Sequence, residues 1–255
     1  MKNYLKVITN IFLSSIGLAV LIGSLLGILG PIKKGNNVNR KINSSIRARG
    51  SKGKNLFNKN VKLSLFHANK FEDFKRLEKL IKQWENLIIK NPGLDVSGFF
   101  ISLDNNFYAE IESNNELPAA SSIKVPILIV LLTMLDKGEI SWNERLILSE
   151  DIIGSGSGWM SYQKIGEDFP IFEVATEMIR VSDNTATNLL IERIGGRDIV
   201  NQKFKEIGLK NTQVNNFLPD LGGTNLTSTK DLSLAMALVD SGYLLNVSSR
   251  DIFRQ

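Results

Sequence analysis

The chain has 255 residues, with 31 lysines and arginines, 26 aspartates and glutamates, one histidine and no cysteine. The missing cysteines exclude a disulfide framework, a thiol nucleophile and thiolate-bound zinc or iron–sulfur sites, and the single histidine excludes a multi-histidine metal site. Thirteen basic residues precede the first acidic one, Glu72, so residues 72–255 carry 18 basic and 26 acidic side chains. We expect no nucleic-acid partner, because this acidic part would repel phosphate.

The N-terminal arm predicts a membrane anchor and a linker. Residues 7–32 are an uncharged, mostly apolar run of 26, and about 20 residues cross a bilayer as a helix. No small-x-small cleavage site ends the run, so we expect an uncleaved transmembrane anchor over residues 1–32 rather than a cleaved signal peptide. Residues 33–70 are rich in Lys, Arg, Asn, Ser and Gly, which is typical of a flexible basic linker.

The first elements of the predicted domain are a helix and a hairpin. Apolar residues recur at helical spacing from Phe71 to Ile88, and Asn91-Pro92-Gly93 is expected to end that helix. Two strand-like runs follow, at 96–103 and 107–112, separated by a short turn sequence. This arrangement predicts a β-hairpin.

The rest of the chain is predicted to be mostly helical. A long apolar run contains Pro126 near its start, and proline is tolerated only in the first turn, so we expect a helix beginning around Ser121. Ser228 and Asp231 are spaced as in a capping box. Further helices are predicted at 171–181, 184–194, 198–207 and 229–240.

A serine followed three positions later by a lysine can form a nucleophile and base pair, because positions i and i+3 share one helix face. The chain contains three such pairs. Only Ser121 opens a strongly apolar helix, which can bury Lys124 and lower the pKa of its amine. The pairs are Ser51 with Lys54, Ser121 with Lys124, and Ser161 with Lys164.

The tripeptide Ser182-Asp183-Asn184 stands before a predicted helix, where by itself it is typical of an N-cap. It also lies 61 residues after Ser121. Together with Ser121-Ser122-Ile123-Lys124, the tripeptide resembles the motifs of the class A β-lactamase family of active-site serine hydrolases, which are relatives of penicillin-binding proteins. The residues from Ser182 to Leu190, and then Ile194-Gly195-Gly196, are also similar to that family, and the resemblance covers about residues 71–255.

The resemblance implies an α+β fold of the β-lactamase/transpeptidase type. Three layers, α/β/α, would surround an antiparallel sheet, with an all-α subdomain beside them. Ser121 would attack a lactam or peptide carbonyl, Lys124 would accept its proton and Ser182 would relay a proton to the leaving nitrogen. Asn184 would bind the acylamide group of the substrate, and the backbone N–H of Ser121 would form half of an oxyanion hole. The family implies no metal and no cofactor.

The chain departs from the family pattern in two places. The family's deacylating glutamate lies in a loop that matches Leu218-Pro219-Asp220-Leu221-Gly222, so Leu218 occupies the glutamate position and the deacylation base is unknown. A leucine cannot activate water, and we therefore expect slow hydrolysis of any acyl-enzyme. The third family motif, K-T-G or K-S-G, does not occur. We expect a domain over residues 71–255 that is truncated before that strand, with its C-terminal strands missing.

The stretch from Gly154 to Trp159 leaves two interpretations open. It could border the cleft with Trp159 as a wall, or it could be a flexible loop with a packed aromatic ring. It is not a phosphate-binding loop, because no Gly-Lys-Ser/Thr follows it.

Three functions remain open. The main interpretation is a β-lactamase-type serine hydrolase that opens β-lactam amides through an acyl-enzyme on Ser121. The alternatives are a penicillin-binding-like D-Ala peptidase with slow deacylation, and a non-catalytic, membrane-tethered wall-binding module. We expect a monomer whose partner is a small β-lactam or a cell-wall peptide. The positive-inside rule favours a cytoplasmic domain, whereas the family chemistry favours the periplasm or extracytoplasmic space, which we predict.

Overall fold

The computed structural model describes residues 74–255. The predicted anchor, the linker and the first three residues of the predicted domain lie outside the described residues. Within residues 74–255, no helix has the length and apolar character needed to span a bilayer. All the described residues belong to one compact unit.

A three-stranded sheet lies at the start of the described chain. Strands β2 (Gly98–Ser102) and β3 (Phe107–Ile111) pair antiparallel, with Phe100 opposite Ala109, which confirms the predicted hairpin. Strand β1 (Lys75–Arg76) pairs with the other edge of β3, but in parallel. The predicted antiparallel sheet thus has one parallel edge, where the backbone N–H of Lys75 donates to the carbonyl of Asn106 and that of Leu77 to the carbonyl of Tyr108.

Helix α1 (Glu78–Lys90) follows β1 and packs against β3. Its end agrees with the prediction, whereas its start lies well after Phe71. The two residues of β1 are bound to the sheet, and Leu77 continues that ladder by donating its backbone N–H to Tyr108. The predicted helix start was therefore too early: the helical spacing of apolar residues extends back into a segment that forms the edge strand of the sheet instead.

Helix α2 (Lys124–Asp136) lies in the centre of the fold. A 3₁₀ turn, Ala120–Ile123, leads into it. Eight of its thirteen residues are buried, and it contacts five other helices. A helix that is apolar on all sides must be covered on all sides. The apolar run that contains Pro126 thus becomes the axis of the core.

The remaining helices surround α2. For the four further helices predicted from the sequence, the bounds agree within two residues, which confirms the α+β class with its large helical part. The last helix was not among them. The bounds are α3 (Ile171–Arg180), α4 (Asn184–Ile194), α5 (Gly196–Glu206), α6 (Thr229–Asp240), α7 (Val247–Phe253), β4 (Leu117–Pro118), β5 (Arg145–Ile147), β6 (Asp168–Pro170) and β7 (Leu226–Thr227), with 3₁₀ turns at Glu150–Ile152 and Met160–Tyr162. Two short antiparallel pairs, β4 with β7 and β5 with β6, connect the segments between helices.

The predicted capping box of α6 is half formed. Ser228 Oγ accepts a hydrogen bond from the backbone N–H of Asp231 at 3.1 Å. The Asp231 carboxylate does not return the bond to Ser228. It accepts instead from the Asn211 backbone N–H at 2.7 Å and from the Thr212 hydroxyl at 2.8 Å. Asp231 therefore fastens the segment after α5 to the start of α6.

Candidate active site

Ser121 lies in the 3₁₀ turn that precedes α2, and its side chain is exposed. The residue before it, Ala120, has a φ of 44°, in the left-handed region that residues other than glycine rarely adopt. The Ser122 hydroxyl fixes the turn by donating to the Ala119 carbonyl at 2.5 Å. The α-helix itself begins only at Lys124, so the predicted nucleophile lies on a tight turn at the helix start.

The structure brings together Ser121, Lys124 and Ser182. The hydroxyls of Ser121 and Ser182 lie 2.8 Å apart, and either oxygen can be the donor. Lys124 Nζ donates to Ser182 Oγ at 2.8 Å and to the Ser182 carbonyl at 2.6 Å. Among the described residues, no hydrogen bond joins the Ser121 hydroxyl directly to Lys124 Nζ, so the Ser182 hydroxyl bridges the two side chains. Ser182 itself is held at a φ of 57°, a strained conformation typical of functional sites.

Lys124 is a buried amine with only 3% of its surface exposed. Burial lowers the pKa of Lys124 to about 8, although the negative charge of Asp183 raises it in part. At pH 7, Lys124 is then neutral in roughly a tenth of the molecules. A neutral amine can accept a proton, which an ordinary surface lysine cannot do at this pH.

Asn184 begins α4 and faces the lysine. Its Oδ1 accepts from Lys124 Nζ at 3.0 Å, and its Nδ2 donates to the Ser155 carbonyl at 2.8 Å. The backbone N–H of Asn184 donates to the Ser157 carbonyl at 3.1 Å. An amide NH2 group carries two hydrogens, and the protein uses one of them. The second can meet a ligand carbonyl.

Asp183 makes the tripeptide a helix cap as well as a site motif. Its Oδ1 accepts from the backbone N–H of Ala186 at 2.9 Å, as an N-cap does. Its Oδ2 accepts from the backbone N–H groups of Trp159 and Met160 at 2.7 and 2.9 Å. The N-cap interpretation of Ser182-Asp183-Asn184 is therefore confirmed at Asp183, and the same cap places Ser182 and Asn184 beside Lys124.

The glycine-rich stretch that begins at Gly154 packs closely against this motif. A Cβ at Gly154 would lie 2.3 Å from the Leu218 carbonyl, and one at Gly158 would lie 2.0 Å from Asp183 Oδ2. Trp159 is a packed aromatic rather than an open wall, since its indole N–H donates to Glu177 Oε2 at 2.7 Å. Sequence reasoning missed Glu177. The only signal was a carboxylate next to the apolar face of the predicted helix at 171–181.

Leu218 is buried, and its backbone is clamped by Asn188. Asn188 Oδ1 accepts from the Leu218 N–H at 2.8 Å, and Asn188 Nδ2 donates to the Leu218 carbonyl at 2.7 Å. The nearby Asp220 carboxylate accepts from the Asn225 N–H and the Thr224 hydroxyl. Partial burial raises the pKa of Asp220, but these hydrogen bonds outweigh it and hold the pKa below its ordinary value.

Asp220 is thus committed to the turn of its own loop. Among the described residues, no carboxylate forms a hydrogen bond with Ser121, Lys124 or Ser182. Over residues 74–255 there is also no group of three or more histidine, aspartate or glutamate side chains placed to hold a metal ion.

Comparisons with known proteins agree with this geometry. The family model described as "Beta-lactamase enzyme family" matches residues 79–255. The chain is 30% identical over 142 residues to β-lactamase BRO-1 from Moraxella catarrhalis, covering 55% of this chain and 44% of that protein. It is 31% identical over 109 residues to the D-alanyl-D-alanine carboxypeptidase DacF from Bacillus subtilis (strain 168), covering 41% and 28%. The chain spans about half the length, or less, of the curated relatives it matches.

Among solved structures, the chain is similar to PBP-A, with 40% identity and a TM-score of 0.68 over 70% of this chain and 67% of that one. A leucine-to-glutamate mutant of PBP-A has been solved as an acyl-enzyme complex with penicillin G. A class A β-lactamase structure at 20% identity and a TM-score of 0.61 shares the fold.

Proposed function

Because the chain belongs to the β-lactamase enzyme family, we propose that it is a serine hydrolase that opens β-lactam amides through an acyl-enzyme on Ser121. One observation carries the proposal. Ser121, Ser182 and the buried amine of Lys124 form a continuous hydrogen-bonded chain. An exposed hydroxyl is a weak nucleophile unless a base takes its proton. Here the base is Lys124, which the hydrogen bonds connect to Ser121 through Ser182.

The first half of the reaction follows from the hydrogen bonds. Neutral Lys124 takes the proton of Ser182, which takes the proton of Ser121, while Ser121 Oγ forms a bond to the lactam carbonyl carbon. The carbonyl oxygen becomes an oxyanion, which the backbone N–H of Ser121 can stabilise. The C–N bond then breaks, and the leaving nitrogen receives the proton back through Ser182. Asn184 would hold the acylamide carbonyl with its second amide hydrogen.

A second candidate function is a D-Ala peptidase whose acyl-enzyme hydrolyses slowly. It is favoured by Leu218, which carries no group able to activate water, and by the engagement of Asp220 within its own loop. The similarity to PBP-A and to the carboxypeptidase DacF also supports it. The acylation chemistry is the same in both candidates, and they differ in substrate and in the lifetime of the acyl-enzyme.

The test is covalent labelling of the full chain by a fluorescent penicillin. We expect labelling of the wild type and no labelling of Ser121→Ala. Ser161→Ala is the matched control, because Ser161 and Lys164 form the other serine–lysine pair in the described chain, and it should label normally. Absence of labelling in the wild type would remove both enzyme functions and favour the non-catalytic wall-binding module. Hydrolysis of penicillin against release of D-Ala from a peptide separates the two enzymes.

Anchoring in a membrane, an extracytoplasmic catalytic domain and a monomeric state stay predictions. The apolar run at 7–32 supports the first, and the chemistry of the family supports the second. A topology reporter fused after residue 70 tests the location, and light scattering of the purified chain tests the monomer.

A further inference from the structure

Three residues beside the proton-transfer chain, Glu177, Trp159 and Asp183, are joined in pairs by hydrogen bonds. The indole N–H of Trp159 donates to Glu177 Oε2 at 2.7 Å, and its backbone N–H donates to Asp183 Oδ2 at 2.7 Å. The backbone N–H of Asp183 donates to the Glu177 carbonyl at 3.1 Å. Each of the three residues therefore fixes the other two.

The Glu177 carboxylate is buried and has two kinds of partner. Its side chain is 9% exposed, whereas that of its ion-pair partner Arg180 is 61% exposed. Arg180 donates to both carboxylate oxygens from the solvent side. A buried carboxylate must be paired, and the guanidinium meets that need. The additional bond to the Trp159 indole thus holds the ring, which also packs edge-on against Phe169 at 5.9 Å between ring centres.

Trp159 ends the glycine-rich stretch that touches the site. The carbonyls of Ser155 and Ser157 in that stretch accept hydrogen bonds from the side chain and backbone of Asn184. Glycines have no side chain to restrict their backbone, so the position of these carbonyls depends on the ends of the stretch. Trp159 is the end that Glu177 and Asp183 hold.

We propose that Glu177 and Trp159 form a positioning pair that sets the orientation of the Asn184 amide, and through it the affinity of the site for the acylamide group of its substrate. The inference rests on the proposed function, since it takes Asn184 as the group that meets the substrate. Neither Glu177 nor Trp159 forms a hydrogen bond with Ser121, Lys124 or Ser182 in the described chain. Their effect should therefore fall mainly on binding before acylation, and it reaches the acylation step only through the bond that Asn184 Oδ1 accepts from Lys124 Nζ.

The test compares two tryptophan-to-phenylalanine variants. Trp159→Phe removes the indole N–H and keeps an aromatic ring against Phe169. Trp142→Phe is the matched control, because Trp142 packs edge-on against Phe172 at 5.7 Å and makes the same kind of ring contact away from the site. Stopped-flow mixing with a fluorescent penicillin separates the dissociation constant of the non-covalent complex from the limiting acylation rate constant.

We expect Trp159→Phe to raise the dissociation constant about tenfold, as for loss of a hydrogen bond to a charged group. The limiting rate constant should change less than about twofold, with the same pH profile, and Trp142→Phe should change neither. Glu177→Gln should raise the dissociation constant by a smaller factor, because an amide oxygen can still accept from the indole. It also provides the test if Trp159→Phe does not fold.

The proposal is overturned if Trp159→Phe and Glu177→Gln bind no more weakly than Trp142→Phe, or if they lower the limiting rate constant alone. Hydrogen exchange adds an arm that needs no reaction. The amides of residues 154–160 should exchange faster in Trp159→Phe than in Trp142→Phe, and equal exchange would contradict the positioning role. If the wild type is not acylated, the proposed function fails, whereas the exchange arm still decides whether the pair holds the loop.

Discussion

Two regions of the candidate site, one around Lys124 and one around Leu218, differ in polarity. In the first region, Lys124 is a buried amine whose hydrogen-bond partners all come from Ser182 and Asn184. In the other region, the segment around Leu218 contains a buried apolar side chain, and its polar groups are satisfied by Asn188 and by its own turn. The contrast supports our proposal of a site that forms an acyl-enzyme, and our expectation that it hydrolyses that acyl-enzyme slowly.

The largest expected effect is a loss of acylation when the polar region around Lys124 is altered. Lys124→Met removes the base and keeps the volume of the buried chain, so acylation by a fluorescent penicillin should fall about 10³-fold, within the range found for general bases. Lys164→Met, in the other serine–lysine pair of residues 74–255, is the control and should acylate normally. A Lys124→Met variant that acylates at the wild-type rate would show that another group takes the proton of Ser121.

Leu218→Glu tests the difference between the two regions, because it introduces a carboxylate into the apolar one. The resemblance to class A enzymes places a water-activating glutamate at this position, so deacylation should speed up about 100-fold. Leu218→Gln has the same shape without the base and should leave the acyl-enzyme long-lived. The measurement is the decay of the labelled protein, followed by mass spectrometry. Equal decay in both variants would mean that residue 218 does not reach the acyl group.

The pH dependence of acylation tests the amine alone. Since burial lowers the pKa of Lys124 to about 8, the neutral, proton-accepting form increases as the pH rises through that value. The acylation rate constant should therefore increase roughly tenfold between pH 7 and pH 9 and then level off. Stopped-flow rates across this range measure it. A flat profile, or a rate that falls as the pH rises, would contradict a lysine base.

The smallest expected effect is a loss of stability when one of two asparagines is replaced. Both asparagines form hydrogen bonds with the backbone of the segment that contains Val214 and Leu218. Asn188 binds the N–H and carbonyl of Leu218, and Asn201 binds those of Val214 in the same way. Asn201→Ala removes two hydrogen bonds and should cost about 2 kcal/mol of unfolding free energy, measured by urea denaturation. Asn188→Ala removes three, because Asn188 Nδ2 also donates to the Ile152 carbonyl at 3.1 Å, and should cost about 3 kcal/mol.

The two asparagine variants should differ at the site. Only Asn188→Ala frees Leu218, so only that variant should change the lifetime of the acyl-enzyme. If Asn201→Ala changes the lifetime equally, the loop responds as a whole and Leu218 has no separate role.

Much of the fold could be predicted from the sequence because apolar spacing fixes the helices. The run after Ser121 and the helix at 184–194 were recognisable from composition and capping residues alone. The 3₁₀ turn at Ser121 and the left-handed conformations of Ala120 and Ser182 were not predictable, because neither residue type favours them and only surrounding contacts maintain them.

For the candidate site, the sequence likewise predicts the residues but not their contacts. Ser121, Lys124, Ser182 and Asn184 could be named from their motifs, but the bridging position of the Ser182 hydroxyl could not be. The role of Glu177 was hidden for a related reason. A carboxylate in a helix is usually a solvated charge, and only the tertiary structure places the Trp159 indole against it.

The central claim, a site that acylates readily and deacylates slowly, is tested most directly by intact-mass spectrometry of the full chain at intervals after mixing with penicillin G. The account predicts that one penicilloyl group appears on Ser121 and persists long after excess drug is removed. An adduct that never accumulates while penicillin G is consumed would contradict slow deacylation, and an unmodified protein in unchanged penicillin G would contradict the catalytic function itself.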